Sequence, residues 1–356
     1  MRPSINLVLI LFISFLLMTQ NSFSQPKDLN KESAKIKAAV IKTCTQQLFD
    51  YVFGEASKDG KKFLYSEFDK NGFVTSQIVF DKNGEIDYKM KYGYDQQGNV
   101  NSQIKFDEKD NIDSMFTFKY DEKNNLIEKA ELKADEKVIS KLQFEFDQNG
   151  NLVKETKLDS DGAVESKTVL TYSDENKIVK KVKYNAKGKL IEKFGYEYDS
   201  AGNLSVEAQY DDEGRLVVKE MKNYIDGGKT IESIKYDSDG KVIEKVVSKY
   251  EGKKLVEKSR YEDGDLMESV VYKFDKNGNR IEDSNYGKDN KLIYSITYKF
   301  DAKGNVVEEQ NDNKDENTFV KYDYKYDQKG NLEERITSDK LNEPIKLLKL
   351  EYEFYN

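Results

Sequence analysis

Hydrophobic and polar residues alternate with a period of two over most of the chain. In one segment Ile86, Tyr88, Met90 and Tyr92 share one parity, and the positions between them are occupied by Asp87, Lys89 and Lys91. Successive side chains of a strand point to opposite faces, so this alternation is typical of a half-buried β-strand. The same pattern recurs at residues 190–198 and 292–300. It predicts an all-β protein of short antiparallel strands, each with one face in water.

The strands are separated by turns that repeat one motif: an aromatic residue, Asp, two variable residues, Gly, one residue, then Leu, Val or Ile. Motif starts alternate in steps of 12 and 14 residues, so the full repeat is 26 residues. Such self-similarity predicts an array of about 22 short strands. Degenerate copies fill the gaps, as at residues 132–138, where Glu136 replaces Gly. Clean copies begin at Phe68, Phe80, Tyr94, Phe146, Tyr198, Tyr210, Tyr236, Phe300 and Tyr326.

Turn length varies along the array while strand length does not. Between Tyr250 and Phe274 the two steps shorten to 11 and 13, and both lost residues come from turns. A paired sheet requires this, because losing one strand residue would move every later side chain to the other face. The ordinary turn, as at Asp69–Gly72, fits a type I turn followed by Gly in the left-handed region, a three-residue hairpin loop. Asp is expected to bond backbone amides two residues on.

Alternating strands of nine and seven residues cannot keep level ends if each turn pairs its aromatic with the following aliphatic residue. Each unit then slides by about one residue per strand, which corresponds to a strand tilt of roughly 36° in closed barrels. We therefore expect a coiled, spiral or tube-like sheet. The alternative is a β-bulge that absorbs the extra pair in each longer strand.

The segment before the array follows a different pattern. Residues 41–53 alternate like a strand, whereas Ile36, Val40, Leu48 and Val52 would also suit a helix. We expect residues 25–60 to form a capping segment, with strand favoured over helix, because terminal units of repeat arrays cover an exposed edge. Residues 61–356 would then form the repeat domain.

The first residues resemble a secretory signal. Arg2 precedes an apolar run over residues 7–18 that is too short to span a bilayer comfortably. The small residues Ser22 and Ser24 favour cleavage before Gln25, so residues 1–24 would be a signal peptide and the mature chain would lack a transmembrane segment. An uncleaved anchor is the alternative. Export to the periplasm, cell surface or extracellular space follows.

Composition narrows the function classes. The net charge of -8 argues against a nucleic-acid partner, because no basic excess neutralises phosphates. The chain has 37% hydrophobic and 35% charged residues but also 24 Tyr and 19 Phe, too many rings for a solvated coil. It contains no His, which removes Ser-His and Cys-His nucleophilic sites. The single cysteine, Cys44, allows no intramolecular disulfide. We expect no enzyme and no cofactor; a catalytic pair of carboxylates is the remaining alternative.

Oxygen-bearing side chains in the turns have two interpretations. Asp275, Asn277 and Asn279 are spaced by two, superficially like a calcium loop, but the full loop with its distal Glu is not met. Turn chemistry, in which Asp bonds the following amides, is the favoured interpretation.

Aromatic residues recur in pairs, one residue apart, on the longer strands. We favour the interpretation that they fill the inside of the coil, because aromatics dominate buried area. The functional alternative is a stripe of rings that binds a carbohydrate or a protein partner. The candidate ligand-facing residues are Tyr196, Tyr198, Tyr272, Tyr298, Tyr324 and Tyr326.

The motif at residues 146–152, Phe-Asp-Gln-Asn-Gly-Asn-Leu, and that at residues 198–204 resemble the YD repeat of bacterial RHS-like proteins. The resemblance covers residue 68 to the C-terminus. It implies a spiralling β-sheet, which in that family can enclose toxin domains, and some members are linked to carbohydrate binding or cell contact. No proline lies between Pro26 and Pro344, so the proline-bearing motif that precedes a toxin is missing, and the sequence ends within the repeat frame. We therefore expect a secreted or surface binding or structural module; the alternative is a shell or accessory component of a secreted toxin system.

Overall fold

The computed structural model describes residues 27–356, with side chains described from residue 33 onward. One helix precedes a long run of strands. Two short 3₁₀ segments, Asp226–Gly228 and Lys288–Asn290, form turns. The elements are α1 (Lys27–Ala39), β1 (Ile41–Val52), β2 (Glu55–Ala56), β3 (Lys61–Phe68), β4 (Val74–Phe80), β5 (Ile86–Tyr94), β6 (Val100–Phe106), β7 (Ile112–Tyr120), β8 (Leu126–Leu132), β9 (Val138–Phe146), β10 (Leu152–Leu158), β11 (Val164–Tyr172), β12 (Ile178–Asn185), β13 (Leu190–Tyr198), β14 (Leu204–Tyr210), β15 (Leu216–Ile225), β16 (Thr230–Asp237), β17 (Val242–Glu251), β18 (Lys254–Glu262), β19 (Asp265–Phe274), β20 (Arg280–Gly287), β21 (Leu292–Phe300), β22 (Val306–Asn313), β23 (Thr318–Tyr326), β24 (Leu332–Ser338) and β25 (Pro344–Phe354).

The sheet closes on itself. From β3 onward each strand pairs antiparallel with the next, and β1 pairs with β3 on one side and with β25 on the other. The short strand β2 extends only the end of β1. The result is a closed antiparallel barrel of 24 strands. The expected tube-like sheet is confirmed, and the expected strand number was slightly low. Closure removes both sheet edges, which would otherwise present unpaired backbone groups.

Strand register shifts steadily around the barrel. Ser66 pairs with Gln77, Gln77 with Met90, and Met90 with Lys105. Along this series each residue lies one position farther from the rim at which β1 begins and β25 ends, which we call the amino rim. A shift of one residue per strand gives a tilt of roughly 36° in a closed barrel. The slide inferred from alternating strand lengths is therefore present.

Bulges accompany the slide instead of replacing it. At the first hairpin Phe68 pairs with Val74 while Glu67 pairs with Ser76, so Thr75 is an extra residue in β4. The same shift occurs one turn later, where it falls in the longer strand β5. Bulges thus occur after turns in both short and long strands, and coiling and bulging coexist. A bulge increases the local right-handed twist, which suits a strongly tilted barrel.

The ordinary turn has the expected geometry. The Gly72 N–H donates to the Asp69 carbonyl oxygen at 2.9 Å, and Gly72 has φ +82°. Glu136 takes the glycine position of its turn with φ 63°, as its place in the repeat frame requires. In one shortened turn Asp263 and Gly264, with φ 47° and 89°, form a two-residue loop between β18 and β19. Such primed turns match the twist of the strands that they join.

Handedness decides which face of the sheet lines the barrel. Adjacent strands of a sheet are rotated by about −20° to −25° relative to each other. We view the barrel from outside with the amino rim upward. Because the register descends from each strand to the next, this twist places each following strand to the right of the one before it. On an ascending strand of L-residues, an outward side chain belongs to a residue whose N–H and C=O point right. The Asp95 N–H donates to the Asn99 carbonyl oxygen and the Asp95 carbonyl oxygen accepts from the Gly98 N–H, so both groups point right, toward β6. Lys91 and Lys89 of β5 alternate with Asp95 and have the same orientation, so their side chains face outward. Met90 and Tyr92 therefore line the interior.

The outer face carries the charged rungs that alternation predicts. Lys119 and Lys141 lie 2.8 and 3.3 Å from the Glu128 carboxylate across β7, β8 and β9. Lys299 pairs with Glu308 at 2.7 Å on the same face, seven repeats later in the frame. Surface ion pairs contribute little stability one by one, so the main effect of these pairs is to keep the outer face polar and hydrated.

Helix α1 packs on the inner face at the amino rim. Ile36 of the helix joins a buried cluster with Ile41, Cys44, Phe68 and Leu348. The strand favoured for this segment is present as β1, but the sequence pattern did not favour the helix that precedes it. The helix ends at Ala39, and Val40 follows it with φ 57°. The predicted signal peptide, residues 1–24, lies outside the described residues, and the division at residues 25–60 and 61–356 stays a prediction.

Candidate functional site

Two of the six candidate tyrosines brace the amino rim. The Tyr198 hydroxyl donates to the Ile178 carbonyl oxygen at 2.9 Å, and the Tyr326 hydroxyl donates to the Val306 carbonyl oxygen at 2.9 Å. Lys177 Nζ also lies 5.2 Å from the Tyr198 ring centroid. These hydroxyls are used within the sheet, so the two residues have a structural role.

Tyr196 lies on the inner face of β13, apart from the other candidates. Its ring is half-buried and stacks beside Phe194 with ring centroids 6.4 Å apart. Burial, followed by the nearby Glu207 carboxylate, raises the pKa of Tyr196 to about 12. This side chain therefore stays a neutral phenol at physiological pH.

The other three candidates form one row. Tyr272, Tyr298 and Tyr324 lie on the inner face of alternate strands β19, β21 and β23. Between them, at the same 26-residue interval, lie polar side chains of β20, β22 and β24. Alternate strands lie roughly 9–10 Å apart, and the register shift offsets neighbouring tyrosines by two further residues along the strand. We call this set the tyrosine–carboxylate stripe: Tyr272, Asp283, Tyr298, Glu309, Tyr324 and Arg335, in which Tyr272 pairs with Asp283, Tyr298 with Glu309 and Tyr324 with Arg335.

Glu309 holds the hydrogen bonds at the centre of the stripe. It is 3% exposed, and its carboxylate accepts bonds from the Tyr324 hydroxyl at 3.2 Å and from Asn311 Nδ2 at 2.9 Å. The repeat places Asp283 in the same relation to Tyr298, but Asp is one methylene shorter than Glu. Asp283 Oδ1 is buried without a hydrogen-bond partner. Glu309 therefore bonds Tyr324, whereas the Tyr298 hydroxyl has the Arg280 side chain as its partner.

Guanidinium groups of the chain already stack on rings of this region. Arg280 Cζ lies 5.2 Å from the Tyr272 ring centroid, and Arg280 Nε lies 2.8 Å from Asp283 Oδ1 as an ion pair without hydrogen-bond alignment. Arg335 Cζ lies 5.0 Å from the Tyr322 ring centroid. A cation over a tyrosine face gains roughly 0.5–2 kcal/mol, more when desolvated.

Burial raises the pKa of both carboxyls of the stripe, although each has an arginine as a neighbour. Desolvation raises the pKa of Asp283 above its ordinary value, although Arg280 opposes the shift. Desolvation likewise raises the pKa of Glu309, against the hydrogen bonds from Asn311 and Tyr324. The pKa of Tyr298 rises to about 12, first through burial and then through the Asp283 charge. Positive charge brought to the stripe would favour the ionised carboxylates.

Three buried polar atoms of the described residues have no hydrogen-bond partner, and all lie on β20 to β24. They are Asp283 Oδ1, Asn311 Oδ1 and Arg335 Nε. Buried polar groups are usually paired, so each such atom in a native fold needs an explanation, such as a ligand or water. Two acceptors and one donor within one patch make this part of the inner face the candidate functional site.

The turn aspartates have the structural role that the sequence favoured. Asp275 Oδ1 accepts from the backbone N–H groups of Asn277 and Asn279 at 2.9 and 2.8 Å, and Oδ2 accepts from Asn279 Nδ2 at 2.9 Å. These bonds help to lower the pKa of Asp275. The oxygens proposed for calcium are thus occupied by the turn itself. Across residues 27–356 no cluster of three or more His, Cys, Asp or Glu is placed to hold a metal ion.

Sequence reasoning found the three tyrosines of the stripe but missed its polar members. Asp283, Glu309 and Arg335 share one position of the 26-residue frame, eleven residues after a tyrosine. Comparing the frame position by position would have shown them, since the equivalent residues elsewhere include Gln103 and Lys129. Their burial was not predictable from alternation, which treats charged residues as exposed.

Cys44 is a buried thiol of the α1 cluster. It is 1% exposed, and burial raises its pKa to about 12. A protonated, inaccessible thiol is a poor nucleophile, so its role is packing.

Comparison with known proteins yields structural likeness only. No family model matches the chain, and no curated protein matches it. A crystal structure of TcdB2-TccC3 is 13% identical over 89% of this chain and 20% of that chain, with a TM-score of 0.39. The Photorhabdus luminescens Tc holotoxin pore is 15% identical over 86% of this chain and 18% of that chain, with a TM-score of 0.35. A porin-like protein from Bacteroides uniformis is 8% identical over 88% and 96%, with a TM-score of 0.29.

This chain therefore spans about a fifth of the length of the TcdB2-TccC3 chain. At sequence identities and TM-scores this low, the structural likeness supports no conclusion about function. Within residues 27–356, the one α-helix is neither long nor apolar enough to cross a membrane.

Proposed function

We propose that this protein is an exported, non-catalytic shell of the YD-repeat class that binds a protein partner along the inner face of its barrel. The tyrosine–carboxylate stripe is the observation that carries the proposal. It places half-buried rings, two buried carboxyls and three polar atoms without a hydrogen-bond partner on the wall of the interior.

The size of the barrel supports an enclosing role. A circular ring of 24 strands, spaced and tilted as in ordinary barrels, has a backbone diameter on the order of 40 Å. Side chains from one wall cannot fill such an interior, since barrels of 16–18 strands already leave an aqueous channel. The inner rings therefore line a space instead of filling it. Tyr294, beside the stripe on β21, is 38% exposed and illustrates this.

A binding role is favoured over catalysis because the chain contains no His, the most common general base. Export rests on the N-terminal apolar run and the small residues before Gln25. A role within a toxin system is the second candidate, suggested by the repeat class; a neighbouring toxin or secretion gene would favour it. A carbohydrate ligand is the other interpretation of the aromatic rows.

Photo-crosslinking tests the proposal, with two adjacent residues as matched positions. A benzoylphenylalanine at Tyr298 faces the interior, and one at Lys299 faces outward. In the native host, we expect protein adducts of a defined mass from the Tyr298 variant and none of that mass from the Lys299 variant. Adducts from Lys299 alone, or from neither position in a folded protein, would contradict an enclosed partner.

A further inference from the structure

The strands that close the barrel carry exposed apolar side chains at the rim opposite the amino rim. Phe53 is 103% exposed, Leu341 76%, Val52 54% and Ile345 43%, and we call these four residues the seam patch. Strands β1 and β25 pair as far as Asp50, so the β1–β2 hairpin and the β24–β25 turn lie side by side. We propose that the seam patch binds the seam patch of a second copy of this chain in a symmetric dimer. This interface is independent of the partner proposed for the interior.

Leu341 has an apolar side chain that its turn does not require. Its backbone N–H donates to Asp339 Oδ1 at 2.9 Å, just as the Asn83 N–H donates to Asp81 Oδ1 at 2.8 Å in another turn of this rim. The aspartate holds the turn whichever side chain follows it. The fold therefore leaves this position free, and its apolar side chain favours a role in binding. In turns of the same kind on this rim the equivalent residue is charged or Asn: Asn83, Lys109, Asp135, Asp161, Lys187, Glu213 and Asp239.

Phe53 departs from ordinary turn chemistry in the same direction. It has φ 52° and is followed by Gly54 with φ 82°, so the two residues form a primed two-residue turn between β1 and β2. Asn, Asp and Gly are the favoured residues at the first position of such a turn, and a bulky residue with a positive φ is strained. Strained residues cluster at sites of function. A fully exposed ring held in a strained conformation indicates that the ring is used in a contact.

The size of the seam patch fits a pair of identical copies. A fully exposed aromatic ring offers roughly 150–250 Å² for burial. With the exposed parts of Leu341, Val52 and Ile345, one copy offers roughly 500 Å² and two copies about 1,000 Å², which is the lower limit for a specific interface. A two-fold axis makes each contact occur twice, so Phe53 of each copy would pack on Leu341 of the other.

The charges beside the seam patch favour a second copy over a membrane surface. The exposed residues Glu55 and Lys58 follow the tip of the hairpin, and the exposed residues Lys340 and Glu343 lie in the neighbouring turn. A surface that carries both signs of charge is compatible with itself across a two-fold axis, because opposite charges can face each other. An anionic membrane would instead repel a chain whose net charge is -8.

Photo-crosslinking of the purified protein tests which molecule occupies the seam patch. A benzoylphenylalanine at Phe53 keeps an aromatic ring at the tip of the hairpin. The control position is Ile191, which is 45% exposed on another part of the barrel. We expect the Phe53 variant to form an adduct of twice the chain mass, linked to residues 49–55 or 339–347 of the second copy, and the Ile191 variant to form none. Absence of the doubled mass from the folded Phe53 variant, or an equal yield from Ile191, would overturn the proposal.

Sedimentation velocity with a double variant tests the two residues. F53N/L341D places Asn in the primed turn and, as at Asp135, an acidic residue in the ordinary turn, so both changes suit the fold. The matched control, I191N/V217D, removes two exposed aliphatic side chains with the same change in net charge. We expect wild type to dimerise with a micromolar dissociation constant. The test variant should raise that constant by about tenfold or more and the control by less than about twofold.

Stability and salt dependence separate the dimer from other causes. At a dilution where all proteins are monomeric, the thermal midpoint of F53N/L341D should equal or exceed that of wild type, which excludes unfolding. Raising NaCl from about 50 to 500 mM should tighten the dimer by screening the like net charge of the copies. A wild type that stays monomeric at about 100 µM, or a dimer that F53N/L341D leaves intact, would contradict the proposal. Binding to phosphatidylcholine vesicles without dimerisation, abolished by F53N/L341D, would assign the seam patch to a membrane and overturn it.

Discussion

The hydroxyl of Tyr94 donates a hydrogen bond to the backbone carbonyl oxygen of Val74 at 2.7 Å. The tyrosine ends a long strand, and the acceptor begins the preceding short strand, where a bulge interrupts the ladder. The bond thus satisfies a backbone group at an irregular point of the sheet. The same bond recurs around the amino rim at Tyr120–Val100, Tyr172–Leu152, Tyr198–Ile178, Tyr224–Leu204, Tyr326–Val306 and Tyr352–Leu332.

Removing one brace should destabilise the barrel, and adding one should stabilise it. Tyr198→Phe deletes the bond to Ile178 and is expected to lower the free energy of unfolding by about 0.5–1.5 kcal/mol. Phe146 occupies the equivalent position beside Leu126 without a hydroxyl, so Phe146→Tyr should raise it. Urea unfolding followed by circular dichroism measures both. If both substitutions changed the free energy of unfolding in the same direction, the hydrogen bond of the hydroxyl would not be the cause.

Backbone strain at a degenerate turn should be relieved by glycine. Glu136 has φ 63°, a conformation that costs a residue with a Cβ roughly 1–2 kcal/mol. Glu136→Gly is therefore expected to stabilise the protein by about 1 kcal/mol. Glu122 lies two residues before the glycine position of the neighbouring turn and does not have a positive φ. Glu122→Gly should therefore give no gain in stability. Thermal denaturation of both variants decides; a gain from Glu122→Gly would rule out the strain argument.

Turn aspartates should make the fold sensitive to acid. Hydrogen bonds from Asn151 lower the pKa of Asp147, and similar bonds lower the pKa of Asp199. A depressed folded pKa contributes stability above the unfolded value, near 3.9, that is lost as pH falls through the folded value. Asp147→Asn should therefore be less stable than wild type at pH 7, with the difference shrinking below about pH 4. A difference independent of pH would contradict the ionised turn.

Glu309 should show the opposite pH dependence. Burial raises its pKa, so the folded protein holds the proton more tightly than the unfolded chain. Ionisation then disfavours the folded state above the raised pKa, and this penalty disappears as pH falls below the ordinary value of about 4.3. Glu309→Gln should gain stability relative to wild type as pH rises from 4 to 8. Melting temperatures across that range test it, and a relative loss toward pH 8 would show that the carboxylate is well compensated.

Period-two alternation and the 26-residue frame predicted most of the fold. Because turn residues such as Asp69 and Gly72 have specific backbone chemistry, loop geometry could be inferred without coordinates. The slide of about one residue per strand followed from alternating strand lengths and is present in the register. Local rules sufficed for these features, since each hairpin repeats the same contacts.

Features that depend on distant parts of the chain were not predictable. The partner of β1 is β25, some 300 residues later, and no local pattern identifies such a pairing. Helix α1 is mostly polar, and Ile36 packs it against the buried cluster at the amino rim. At the candidate site, the tyrosines followed from the frame, whereas burial of Asp283 and Glu309 depends on neighbouring strands that cover them.

Closure of the sheet is the claim on which the interior, the stripe and the proposed partner all depend. Thr45 of β1 pairs with Glu351 of β25, and both face outward. In a Cys44→Ser background, a short bis-maleimide should join T45C and E351C within one molecule, because directly paired Cβ atoms are about 4.5–5.5 Å apart. The control pair T45C/E197C, across the barrel, should not react. Failure of T45C/E351C to crosslink in a folded monomer would show an open sheet and contradict the account.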